Sequence, residues 1–242
     1  MRGRWRSHSR SGANQWGPYI AARAAESRVP ALARYYGAGL PSADTPIGEV
    51  SFLALDIETT GLDEARHAIV SVGVVPFDLD RIRLADRHYW VVHPPRALSS
   101  LSVTFHHITH TDIENAPDFV EVLPSLLEAM AGRVVVVHYR NIERSFLDAA
   151  AKARVGEHLL FPVVDTMAIE AHRHRLSLWA RFRRWLGHPP VSIRLNDSRQ
   201  RYGLPVYQGH HALVDALATA ELFQAQVATH LRRDMPVGRL WS

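Results

Sequence analysis

The stretch FLALDIETTGL, residues 52–62, constrains this chain more than any other: four apolar residues run straight into two carboxylates, Asp56 and Glu58. Apolar runs of this length sit as strands inside a sheet. Residues two apart on a strand share a face, so Asp56 and Glu58 project together while Ile57 points the other way. Thr59-Thr60-Gly61 then ends the strand in a turn. Two like charges at the end of a buried strand repel, so one takes up a proton or a cation binds between them. An all-oxygen donor set favours Mg²⁺ or Mn²⁺ over zinc. The fold therefore has to bring a counter-charge to this strand end.

The remaining pattern reads as strands first and then alternating units. Strand-like segments cover 51–57, 68–77 and 84–92, joined by short turns as an antiparallel meander. A helix is predicted over 118–130, a strand over 134–138, a helix over 141–153, a short strand over 161–165 and a long helix over 211–231. The order βββαβα(β)α predicts an α/β fold, a mixed sheet with helices on its faces. Residues 1–47 read as a basic extension with helical stretches at 20–26 and 31–36, closed by the linker Pro41-Ser42-Ala43-Asp44-Thr45-Pro46. Residues 48–233 form the main domain and 234–242 a tail.

Composition narrows the class. With 242 residues, 47% of them hydrophobic and 21% charged, the chain is globular and long enough for a sizeable core. It has no cysteine, which excludes disulfides and thiolate metal sites. No apolar run reaches the length of a membrane span. The N-terminus is Arg-rich without an apolar secretory core, so it reads as a basic solvated arm on a cytoplasmic protein that contacts no membrane. The net charge of +4 hides a partition. Residues 1–49 carry seven Arg against Glu26, Asp44 and Glu49, and residues 171–201 carry eight Arg against Asp197 alone. The rest is net acidic, so an acidic core bears two basic attachments, as a site acting on a polyanion requires.

Two further signals supply carboxylates. In VVVVHYRNIERSFLDAA, Glu143 shares a helical stripe with Phe146, Leu147 and Ala150, so it faces the core, whereas Asp148 turns toward solvent. In GHHALVDALATAELF, Asp215 lies on a largely apolar stripe with Ala218 and Leu222, and a charge there needs a partner. His210 and His211 precede it by five and four residues. A neutral imidazole beside a carboxylate cluster is a competent general base.

Together these three pieces resemble the three motifs of the DnaQ-like, DEDDh 3′–5′ exonucleases, the family of the polymerase III ε proofreading subunit and RNase T. DIETTGL is similar to the first motif and His210–Ala216, H-x-A-x-x-D-A, to the third; the resemblance spans roughly residues 49–230. It implies a ribonuclease H-like fold with a mixed five-stranded sheet. It also implies that Asp56, Glu58, Glu143 and Asp215 are metal ligands for two divalent cations, Mg²⁺ or Mn²⁺, with His210 as base. Two such ions about 3.5–4 Å apart clamp a scissile phosphate. The implied products are nucleoside 5′-monophosphates released from the 3′ end of single-stranded nucleic acid, DNA ahead of RNA. A DNA polymerase or repair protein is the implied partner. Thr59, Thr60, Gly61 and Leu62 would meet the substrate, as would His106 and Ile108 of Phe105-His106-His107-Ile108-Thr109, which resembles the family's I-H-G-I-T with His107 for glycine. The second motif departs from the family's H-N-x-x-F-D: this chain has His138-Tyr139-Arg140-Asn141-Ile142-Glu143, one methylene longer at the acid.

Two alternatives follow from the same residues. A nucleic-acid-binding module of this fold would keep the acids but turn over weakly, with Glu143 misplacing the second metal. A zinc hydrolase would use His106, His107 and His110, or His172 and His174, although these lack an H-E-x-x-H spacing. Within the basic insert 171–201, Trp179, Phe182 and Leu186 recur at helical spacing, which predicts an amphipathic helix packed on the domain with arginines outward.

Overall fold

The computed structural model describes residues 10–95, 108, 110–178, 182 and 185–242. Two helices lead, α1 (Arg10–Glu26) and α2 (Pro30–Gly37). Three strands follow, β1 (Phe52–Thr59), β2 (Ile69–Phe77) and β3 (His88–Val91). Next come α3 (His110–Glu114), α4 (Phe119–Met130), β4 (Val134–Val137), α5 (Arg140–Val155) and β5 (Val163–Asp165). The chain closes with α6 (Thr166–His174), α7 (Leu195–Arg201) and α8 (Ala212–His230). The five strands form one sheet in the order β3-β2-β1-β4-β5. β1 pairs antiparallel with β2 and parallel with β4, so the expected meander and mixed sheet are both present.

Alternation along β1 decides what each face covers. Leu53, Leu55 and Ile57 face one side and join α2, α4 and α5 in the larger apolar cluster. Phe52 and Ala54 face the other side and pack with Ala216, Ala220 and Phe223 of α8. Asp56 and Glu58 continue the second series, so the strand delivers both acids to the α8 side, where Asp215 sits. α4 starts on a capping box in which Asp118 accepts from the Val120 N–H and Glu121 accepts from the Asp118 N–H.

Several expectations are corrected by packing. β3 begins at His88, because 84–86 form a 3₁₀ turn. β5 begins at Val163, leaving Phe161 buried but outside the strand. Past residue 9 the extension is not a solvated arm: Ile20, Leu32, Tyr35 and Tyr36 are buried in the larger cluster, and Arg23 pairs with Glu157. The tail also docks, with Val237, Leu240 and Trp241 buried and Trp241 bridged to Val164. In the insert, Trp179, Arg181, Arg183 and Arg184 lie outside the described residues. Leu176, Leu178, Phe182, Trp185 and Leu186 there are exposed rather than packed on the domain, whereas Ile193 is buried. Asp148 is half-buried, not solvated; it accepts from the Leu159 N–H and meets His158. Among the described residues no helix is long and apolar enough to cross a membrane.

Candidate active site

Three of the expected acids converge. Ligand oxygens of Asp56, Glu58 and Asp215 lie within 4.8 Å of one another. β1 supplies the first two from one face, and the first turn of α8 supplies the third. α8 comes this close because β2 has glycine beneath it. A Cβ on Gly73 would lie 2.3 Å from the carbonyl carbon of Ala212 and the nitrogen of Leu213, so any side chain there would lift the helix. Gly73 pairs with Asp56 across the sheet, which puts the slot beside the first carboxylate.

Glu143 is the fourth acid and is not part of that convergent set. It sits in the first turn of α5, 4% exposed, and its Oε2 has no hydrogen-bond partner among the described residues. It still belongs to the same electrostatic group. Burial and then the charge of Glu143, ahead of Asp215 and Glu58, hold the Asp56 carboxyl well above the usual carboxylate range. Burial likewise pushes Glu143 up, with the charge of Asp165 adding to it. Asp215 is raised by burial and by Glu58, against the hydrogen bond it accepts from His210. Carboxylates crowded in this way need protons or cations, and an unpartnered buried oxygen beside an all-oxygen cluster fits a hard divalent cation.

The turn before α5 is built around residues that the sequence did not flag. Tyr139 adopts φ 99, a left-handed conformation for a non-glycine. Asp165 holds it there, accepting from the N–H groups of Tyr139 and Arg140 while also capping α6 through the N–H groups of Met167 and Ala168. A helix-capping aspartate after Val163-Val164 is a readable signal for the second task only. His138 is buried between the Thr166 hydroxyl at 2.8 Å and the Ile193 carbonyl at 3.0 Å. A carbonyl only accepts, so Nε2 carries the proton and Nδ1 faces the hydroxyl. Burial pushes His138 down to about 4.

His210 lies just outside α8, exposed and with φ 69, and its backbone N–H donates to Asp215 Oδ2 at 2.8 Å. His211 stands at the N-cap position without a side-chain capping bond, its ring stacked on Tyr89 at 4.6 Å. The two hydroxyls of the first-motif turn bond inward. Thr59 donates to the Gly61 carbonyl, and Thr60 accepts from the Ala68 N–H and meets His67. Leu62 stands 79% exposed at the rim. Ile108 is buried with Val70 and Ile113, and His106 lies outside the described residues. Gly73 and Tyr89 were both missed. A lone glycine within an apolar strand signals close backbone approach, but nothing local marks Tyr89.

A ribonuclease H-like mixed sheet with acids gathered at the end of its central strand is the arrangement of DnaQ-like nucleases. The exonuclease family named for RNase T matches residues 53–223. The chain belongs to this exonuclease family. It is 31% identical over 185 residues to the DNA polymerase III subunit epsilon of Treponema pallidum, covering 76% of this chain and 80% of that one. It is 30% identical over 182 residues to the PolC-type DNA polymerase III of Thermotoga maritima, covering 75% of this chain but only 12% of that protein. The nuclease domain of 3′hExo, a DEDDh family member solved bound to rAMP, shares the fold with a TM-score of 0.60 at 14% identity, covering 75% of this chain and 94% of that domain.

Proposed function

We propose that the protein hydrolyses the terminal phosphodiester bond at the 3′ end of single-stranded nucleic acid, DNA ahead of RNA, and releases nucleoside 5′-monophosphates. The observation that carries this reading is the convergence of Asp56, Glu58 and Asp215, with the buried Glu143 close enough for its charge to raise Asp56. These four carboxylates would hold two divalent cations, Mg²⁺ or Mn²⁺, which supply a water nucleophile at neutral pH and offset charge on the phosphate. His210, exposed at the mouth, takes the proton of the attacking water through a neutral imidazole. Its backbone bond to Asp215 ties the base to a cation-holding residue.

The hydroxyls of Thr59 and Thr60 hold the turn in shape, and both residues meet the substrate alongside Gly61 and Leu62. Leu62 and the backbone at Gly61 face the terminal nucleotide, where contact by shape favours weak sequence preference. The kinship with ε and PolC-type polymerase chains favours DNA, a polymerase or repair partner and a cytoplasmic setting. The test is side-by-side digestion of 3′- and 5′-labelled single- and double-stranded DNA and RNA with Mg²⁺, Mn²⁺ or EDTA. Release of mononucleotides from the 3′ end, abolished by EDTA, is expected. Cation-independent turnover, or release from the 5′ end, rejects the reading. Because Glu143 stands outside the convergent set, a second reading is a binding module, which would release no mononucleotide here while still shifting the same labelled strands in a gel.

A further inference from the structure

The ring of His211 stacks on Tyr89 with centroids 4.6 Å apart and planes 24° from parallel. Tyr89 belongs to the edge strand β3 and pairs with Gly73, which pairs with Asp56, so the three form one row across the sheet. The backbone of Ala212 and Leu213 settles over Gly73 in the middle of that row. The stack therefore closes over the edge of the slot that admits α8. His211 Nδ1 is buried and has no hydrogen-bond partner among the described residues, so no polar bond at that nitrogen orients the ring and the face contact with Tyr89 does. One residue earlier, His210 sits at φ 69, in a left-handed conformation that costs energy for a side chain with a Cβ. Such a conformation persists only where its neighbours over-determine it. On one side the Asp215 carboxylate holds the His210 N–H, and on the other His211 is clamped by Tyr89.

We propose that Tyr89 is a positioning residue of the exonuclease site: through its stack on His211 it holds the start of α8 on the sheet and keeps His210 in the turn that presents its imidazole to the reaction. This rests on His210 being the base. Tyr89 itself touches no reacting atom. The contact with His211 is made by the ring, while the hydroxyl lies toward Ser71 and the charge of Glu58; phenylalanine therefore keeps the stack and an aliphatic residue does not.

The test combines Tyr89→Leu, Tyr89→Phe and His210→Ala, singly and as the double variant Tyr89→Leu/His210→Ala. Single-turnover rates and binding are measured on a 3′-labelled single strand. Tyr89→Leu is expected to lower the rate at saturating substrate about tenfold, the scale of one aromatic stacking pair, with binding unchanged. Tyr89→Phe is expected to stay within roughly twofold of the parent. In the His210→Ala background, Tyr89→Leu should add no further loss, because a residue acting only through the base has nothing left to position. Equal losses in both backgrounds, or a parent-like rate in Tyr89→Leu, overturn the proposal while leaving the base assignment standing. A parent-like rate in His210→Ala overturns both, and is recognised from that single variant. Should Tyr89→Leu not fold, His211→Leu removes the same stack from its other partner and carries the same expectations.

Discussion

The backbone N–H of His210 donates to Asp215 Oδ2 at 2.8 Å, so the residue expected to move a proton and one expected to hold a cation share a single bond across the start of α8. Both lie close together in the chain, and the few residues between them have little freedom to change their spacing. His210→Ala is therefore expected to lower turnover by ~10²–10⁴-fold and to erase the acidic limb of the rate profile. His211→Ala should cost about tenfold, through the stack alone. Rate profiles of both variants between pH 5 and 9 check this; a severe His211→Ala beside a mild His210→Ala would reverse the assignment.

Asp56 is raised by burial and by three neighbouring acids, which makes its linkage opposite to that of an ordinary carboxylate. With the folded value above the unfolded one, the stabilisation from holding a proton is complete below about pH 4 and is lost as pH rises through the folded value. The cation-free protein should thus weaken toward neutral pH, and Mg²⁺ or Mn²⁺ should restore it. Asp56→Ala is expected to abolish turnover while flattening this slope. Thermal unfolding in EDTA across pH 4–8, with and without Mn²⁺, reads the slope, and the digestion assay reads turnover.

Glu143 and Asp148 separate cleanly by environment. Glu143→Gln is expected to lower turnover by orders of magnitude, and Glu143→Asp to retain part of it. Asp148→Asn should leave turnover unchanged and cost at most ~1 kcal/mol, because its partners are a backbone N–H and an exposed imidazole. A silent Glu143→Gln beside an inactive Asp148→Asn would make Asp148, not Glu143, the fourth acid of the site.

His138 runs the other way in pH. Its folded value of about 4 lies below the unfolded 6.5, so the unfolded chain binds more protons between them. Stability is complete above about pH 6.5 and falls by roughly 3 kcal/mol as pH drops toward 4. Comparing acid unfolding of the parent with His138→Gln tests this: the variant should lack that limb, and an unchanged limb assigns the loss elsewhere.

The insert's arginines divide into two groups. Arg199 is 1% exposed, bonded to the Ala218 carbonyl and Glu221 and lying 4.5 Å from the Tyr207 ring centre. Arg201 bonds Glu170, which is fully buried. Arg199→Gln should destabilise the fold by about 3 kcal/mol, the scale of breaking a buried pair. Replacing Arg181, Arg183 and Arg184 with Gln should leave stability alone and weaken binding of long strands. The salt slope of binding should fall by about 0.7 for every phosphate no longer neutralised. Hydrolysis of a minimal thymidine phosphodiester should hardly change; an equal fall on both substrates would place these arginines in the fold instead.

What the sequence determined by itself was whatever a period reveals. Alternation along 52–59 already put Asp56 and Glu58 on one face, and the 3.6-residue stripe already turned Glu143 inward and put Asp215 among apolar neighbours. Those signals live within a few residues, so the order of the strands and the longer helices, the sheet type and the inward-facing acids were legible, whereas α3, α6 and α7 were not. Tertiary structure decided the rest, because the deciding interactions join residues far apart in the chain. Gly73 matters only because α8 lands on it. Tyr89 matters only because β3 ends up beside the start of that helix. Asp165 holds the turn at Tyr139 from 26 residues away. Arg199 looked like part of a basic face until Glu221 and Tyr207 enclosed it, and the leading helices looked solvated until the sheet offered them an apolar side to cover.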